Sequence, residues 1–78
     1  MSTSWLIAFE DGELNANGEL PEMSLREAAQ QCDARRTTAY ARGLGTARGK
    51  RVQITEEGMC WEVGRWAGYF DPRLDRDP

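Results

Sequence analysis

The chain has 78 residues, ten Lys or Arg against thirteen Asp or Glu, no histidine, and a formal net charge of −3. That length holds one domain with one modest core, which by itself gives about 3–5 kcal/mol of stability and leaves room for a homodimer or a partner to add to it. The lack of histidine excludes imidazole acid–base chemistry and imidazole metal ligation, and Cys32 and Cys60 alone are too few for a structural zinc site, so neither metal nor cofactor is expected.

Three Trp, two Tyr and two Phe supply enough bulk for a folded domain rather than a disordered chain. The apolar run Trp5-Leu6-Ile7-Ala8-Phe9 is far too short to cross a membrane. No secretory pattern precedes it, so Cys32 and Cys60 read as reduced thiols of a cytoplasmic protein, with an intermolecular disulfide as the alternative. The charge is segregated along the chain: −5 over residues 1–23, +5 over 24–51 and −3 over 52–78. A basic block between acidic flanks creates a local positive field on an acidic protein.

Alternation in Trp5, Ile7 and Phe9 predicts a buried strand. Asp11-Gly12 is a turn pair, Leu14 and Ala16 suggest a second short strand, and Asn17-Gly18 and Pro21 close this N-terminal hairpin. Ser24-Leu25-Arg26-Glu27 is a capping box: the Ser24 hydroxyl accepts from the Glu27 amide, and the Glu27 carboxylate reaches back to the Ser24 amide. Met23 before the cap and Ala28 after it form a weak hydrophobic staple. The helix starting there is expected to run to about Gln31 and break near Cys32-Asp33-Ala34. A second helix is expected from roughly Arg35 to Arg42, ended by Gly43 and Gly45. Residues 43–49 read as a flexible linker. Val52 and Ile54, the Glu56-Glu57-Gly58 turn, then Met59, Trp61 and Val63 read as a C-terminal hairpin. Trp66, Tyr69 and Phe70 are expected to return over the core, and residues 71–78 to fray. The expected fold is a single α+β domain over residues 1–70, two short helices packed with an N-terminal and a C-terminal β-hairpin.

Residues 25–40, Leu-Arg-Glu-Ala-Ala-Gln-Gln-Cys-Asp-Ala-Arg-Arg-Thr-Thr-Ala-Tyr, carry the most information. Leu25, Ala28 and Ala29 make a narrow apolar stripe, and small alanines let a second helix cross closely, with Ala34 and Ala39 facing it. The stretch resembles the helix-turn-helix of small DNA-binding domains. Over residues 24–63 the layout is similar to the nuclease-associated modular domains appended to homing endonucleases, which bind DNA without being catalytic. The resemblance implies a non-enzymatic module on duplex DNA, in which Arg35, Arg36, Thr37, Tyr40 and Arg42 project toward a major groove and Arg48, Lys50 and Arg51 of the following hairpin contact phosphates. Two positions depart from the pattern. Asp33 stands where the turn usually has Gly, and Arg35 stands where Ser or Thr usually caps the recognition helix.

Other signals fail. The stretch from Gly43 to Arg51 lacks the Gly spacing of a phosphate loop and the Ser or Thr that follows its lysine. Glu56 and Glu57 are adjacent in a turn and read as a solvated acidic loop. Trp61 and Trp66 read as core. A rival of another class is a protein-binding inhibitor, since in size and charge the chain is similar to small phage-encoded anti-CRISPR proteins. That likeness implies that Glu10, Asp11, Glu13, Glu19 and Glu22, or else the arginine cluster, dock on a host nucleic-acid-binding complex.

Overall fold

The computed structural model describes residues 4–57, 60–62 and 74. Strand β1 (Trp5–Phe9) forms where the alternation predicted it, followed by the edge strand β2 (Glu22–Met23), helix α1 (Leu25–Arg35), and strands β3 (Ala39–Gly43), β4 (Arg51–Ile54) and β5 (Cys60–Glu62). The strands make one antiparallel sheet in the order β2-β1-β3-β4-β5. Both β2 and β3 run antiparallel to β1, so they are parallel to each other, and α1 is the crossover that carries the chain past β1.

This corrects the expected fold. Among the described residues, one α-helix and one continuous sheet replace two helices packed with separate hairpins. The first helix does not break near Cys32 but continues to Arg35, with Ala28 and Cys32, four residues apart, buried on its inner face. Arg36 then takes a left-handed conformation, φ 52 and ψ 53, and its amide bonds back to the carbonyls of Cys32 and Asp33. Arg35 thus ends the helix, and the predicted second helix from Arg35 to Arg42 becomes the αL cap, two connecting threonines and most of β3.

Residues 39–43 obey a period of two. Ala39, Ala41 and Gly43 lie on the helix side, while Tyr40 and Arg42 lie on the other. The alanines do allow a close approach, but of α1 to the sheet rather than of one helix to another. Ala28, Cys32, Ala39 and Ala41 join Trp5, Ile7, Phe9, Val52 and Ile54 in the main core, with Met23, Leu25 and Ala29 packed at its margin. Burying Phe9, Ile7 or Ile54 contributes about 2–3 kcal/mol each by removal of apolar surface from water.

The sheet's other face carries a smaller cluster of Ala8, Tyr40 and Leu74, with Leu6 and Leu20 packed against it. Leu74 is 1% exposed, so this one described residue of the expected frayed tail is buried.

In the N-terminal segment the turn chemistry is as read, but its strand partner is not. The Gly12 amide donates to the Phe9 carbonyl, with φ 82 at Gly12. The Asn15 side chain accepts from the amides of Asn17 and Glu19, closing the Asn17-Gly18 turn. Residues 14–16 form no strand, and the short strand that pairs with β1 is Glu22–Met23. The capping box forms in part: the Ser24 hydroxyl accepts from the Glu27 amide at 3.1 Å, but the Glu27 carboxylate meets that hydroxyl at 3.4 Å rather than the Ser24 amide.

The β4–β5 hairpin is present, with Ile54 opposite Cys60, Gln53 opposite Trp61 and Val52 opposite Glu62. Met59, Val63, Trp66, Tyr69 and Phe70 lie outside the described residues.

Candidate nucleic-acid interface

Antiparallel pairing sets the start of each strand beside the end of its neighbour. At one end of the sheet, Trp5 pairs with Met23 and Gly43, so the start of α1 and the β3–β4 loop meet there. At the other end, Phe9, Ala39, Ile54 and Cys60 stand in one row, beside the end of α1, the loop after β1 and the β4–β5 turn.

The charges divide between these ends. Among the described residues, Arg26, Arg42, Arg48, Lys50 and Arg51 stand at the first end, with Glu22 and Glu27 as the acids. Glu10, Asp11, Glu13, Asp33, Glu56 and Glu57 stand at the second, against Arg35 and Arg36. The axis of α1 reinforces this division, because its N-terminus, the positive end of the helix dipole, lies at the basic end.

The β3–β4 loop is held by a run of backbone hydrogen bonds, which overturns its expected character as a flexible linker. A short 3₁₀ turn spans Gly45–Ala47. The Gly43 amide donates to the Lys50 carbonyl, Leu44 to Ser4, Ala47 to Leu44, Arg48 to Gly45 and Lys50 to Ala47. Ala47 is buried under the loop and packs so tightly on Gly43 that a Cβ there would meet the Ala47 carbonyl carbon at 2.7 Å and its Cβ at 2.8 Å. The loop therefore presents Arg48 and Lys50, both exposed, from a fixed backbone. Arg51 opens β4 directly opposite Arg42 of β3, on the face away from the helix.

The sequence-predicted site residues are thus split. Arg42, Arg48, Lys50 and Arg51 converge at the basic end. Arg35 lies at the opposite end, over the Phe9 ring at 3.9 Å from the centroid and ion-paired with Asp11 at 3.4 Å and with Glu13. Its side chain is 21% exposed and links the loop after β1 to the Phe9 ring. Arg36 is the exposed helix cap, also at that end. Thr37 and Tyr40 are buried at 7% and 8% exposure, the Thr37 hydroxyl donating to the Thr38 carbonyl and the Tyr40 hydroxyl to Glu10 at 3.0 Å. Neither is placed to meet a base edge.

The acids of the rival reading are also divided. Glu10, Asp11 and Glu13 cluster at the second end, Glu19 sits in the turn closed by Asn15, and Glu22 lies on β2 near the basic end, where Ser4 donates to it at 3.4 Å. Arg26, which sequence reasoning did not single out, also stands at the basic end. Its place in the first turn of α1 was legible, but its proximity to the β3–β4 loop depends on the Trp5–Gly43 pairing, which the sequence does not announce.

No group of three or more His, Cys, Asp or Glu side chains among the described residues is placed to hold a metal ion, and no described helix is long and apolar enough to cross a membrane. The described residues form one α-helix and one antiparallel sheet, with a basic and an acidic end. Comparison of the chain with protein-family models, curated proteins and solved structures found no match in any of them.

Proposed function

We propose that this domain is a non-enzymatic nucleic-acid-binding module that grips the phosphate backbone of duplex DNA with its basic end. The observation that carries this is the display of Arg48 and Lys50, exposed on a loop braced by backbone hydrogen bonds, at the same end as Arg26, Arg42 and Arg51. A rigid loop holds guanidinium and ammonium groups at a set spacing, so little conformational entropy is lost when they meet a row of phosphates. Phosphate contacts position a protein without reading sequence, and binding of this kind does not need a recognition helix. One such end buries little surface, and tight binding calls for a second copy or a larger assembly.

The test is fluorescence anisotropy of a labelled duplex across a salt series. Engagement of three to five cations gives a log–log salt slope of about −2.7 to −4.5. Failure to bind at the lowest salt would remove this reading.

A second reading is favoured by the other end. Leu14, 43% exposed, is the large apolar side chain left in solvent among the described residues, and it directly follows the exposed acids Glu10, Asp11 and Glu13. An acidic surface with one apolar anchor suits a basic protein surface, as in a phage-encoded inhibitor that occupies the nucleic-acid site of a CRISPR effector complex. Co-purification with such a complex, lost on Leu14→Asp, is its test.

A further inference from the structure

The two ends of the sheet are opposite in charge as well as in position. Asp33 in the last turns of α1 and Glu56 and Glu57 in the β4–β5 turn are exposed at the acidic end, beside Glu10, Asp11 and Glu13. Arg26, Arg48 and Lys50 are exposed at the basic end. Strands β1 and β3, five residues each, keep the ends about 14–17 Å apart. Physiological salt screens exposed charges beyond about 8 Å. The attraction between the two ends of one copy is therefore largely screened, and an end meets its complement at close range only on another molecule.

The complementarity extends to apolar surface. Leu14, 43% exposed, follows Glu13 at the acidic end. At the basic end Met23, Leu25 and Leu44 are only half-buried. An apolar centre with a charged rim is the ordinary make-up of a protein–protein contact.

We propose that the acidic end of one copy docks on the basic end of the next, so that the partner of each end is a second copy of this chain. The two surfaces differ and lie at opposite ends of the sheet, so the contact is head-to-tail and builds open chains rather than a closed pair. Exposed ion pairs are individually weak and screened by salt. The chains accordingly form at high protein concentration and low salt, and come apart as salt rises. Within a chain each basic end is covered by its neighbour, which withholds Arg48 and Lys50 from phosphates. That consequence rests on the nucleic-acid reading, whereas the self-association rests on the complementarity of the ends alone.

Sedimentation equilibrium of the full chain at millimolar concentration across a salt series reads the association directly. The weight-average mass should exceed that of two copies at low salt and fall to that of one at high salt. Two variants assign the surfaces. Arg48→Gln with Lys50→Gln neutralises the basic end, and Asp33→Asn with Glu56→Gln and Glu57→Gln neutralises the acidic one. All five side chains are exposed, so the fold should be kept. Each variant alone should associate at least tenfold more weakly than the parent, while an equimolar mixture should stop at a pair. A parent chain that stays single at low salt overturns the proposal. Either variant associating as the parent does also overturns it, because the contact then lies on another surface. A duplex long enough for one copy should break the mixed pair. A pair that persists with duplex bound overturns the covering of the basic end and leaves the self-association standing. Duplex that binds no form of the chain removes the nucleic-acid reading, and the self-association is still decided by mass.

Discussion

The Arg35 guanidinium lies over the Phe9 ring, 3.9 Å from its centroid, and so joins the last residue of α1 to the last residue of β1. Asp11 and Glu13, on the loop that leaves β1, complete the contact as ion-pair partners. None of the guanidinium nitrogens makes a directed hydrogen bond among the described residues, so the grip is one of charge, ring face and aliphatic stem.

Arg35→Ala is therefore expected to act on stability and not on nucleic-acid affinity. Loss of the ring contact and of the buried stem costs about 1–2 kcal/mol, with little added for the half-exposed Glu13 pair. Urea unfolding measures the first effect and anisotropy the second. A large loss of affinity at unchanged stability would return Arg35 to the interface.

Arg36 caps the helix at φ 52, a conformation that costs an ordinary residue about 1–2 kcal/mol and glycine almost nothing. Arg36→Gly relieves this, although the unfolded chain gains freedom. A net stabilisation of about 0.5–1 kcal/mol is expected, read as a raised midpoint in urea with an unchanged slope. Destabilisation would mean that the Arg36 side chain makes a contact worth more than the strain.

Gly43 and Gly45 lie two residues apart and predict different outcomes. A methyl group at Gly43 runs into the Ala47 backbone, which the loop's own hydrogen bonds hold in place, and Gly43→Ala should cost about 2–3 kcal/mol by overpacking. Gly45 has open space around it but φ +56, so Gly45→Ala should cost about 1 kcal/mol through backbone strain alone. Thermal unfolding of the two variants ranks them. Equal effects would refute the close approach at Gly43.

Arg48→Gln with Lys50→Gln removes the two exposed cations of the β3–β4 loop. Stability should stay within about 0.5 kcal/mol, since neither side chain is buried. The salt slope of duplex binding should become shallower by about 1.8, one counterion contact for each residue removed. An unchanged slope would place the phosphate contacts elsewhere.

The sequence by itself determined the local features. The alternation of Trp5, Ile7 and Phe9 marks a strand because a side-chain period of two needs no knowledge of the neighbours. Ser24 marks the helix start because capping is settled within one turn. The Asn15 and Gly12 turns and the β4–β5 pairing are equally short-range. Charge segregation along the chain was also visible, and it survives as segregation between two ends of the molecule.

The tertiary structure decided the fate of residues 35–43. Ala39, Ala41 and Arg42 are good helix formers, and Ala34 and Ala39 can be placed on a helical stripe as easily as on a strand. What makes Ala39–Gly43 a strand is its position between β1 and β4, where both sides of the backbone find ladder partners and the small side chains let α1 come close. A nine-residue segment carries too little intrinsic preference to outweigh that pairing. The same pairing separates Arg35 from Arg42, sending one to each end of the sheet, and brings Leu74 from the far end of the chain onto Arg42. Contacts between residues so distant in sequence follow from the whole sheet's register, which no local pattern encodes.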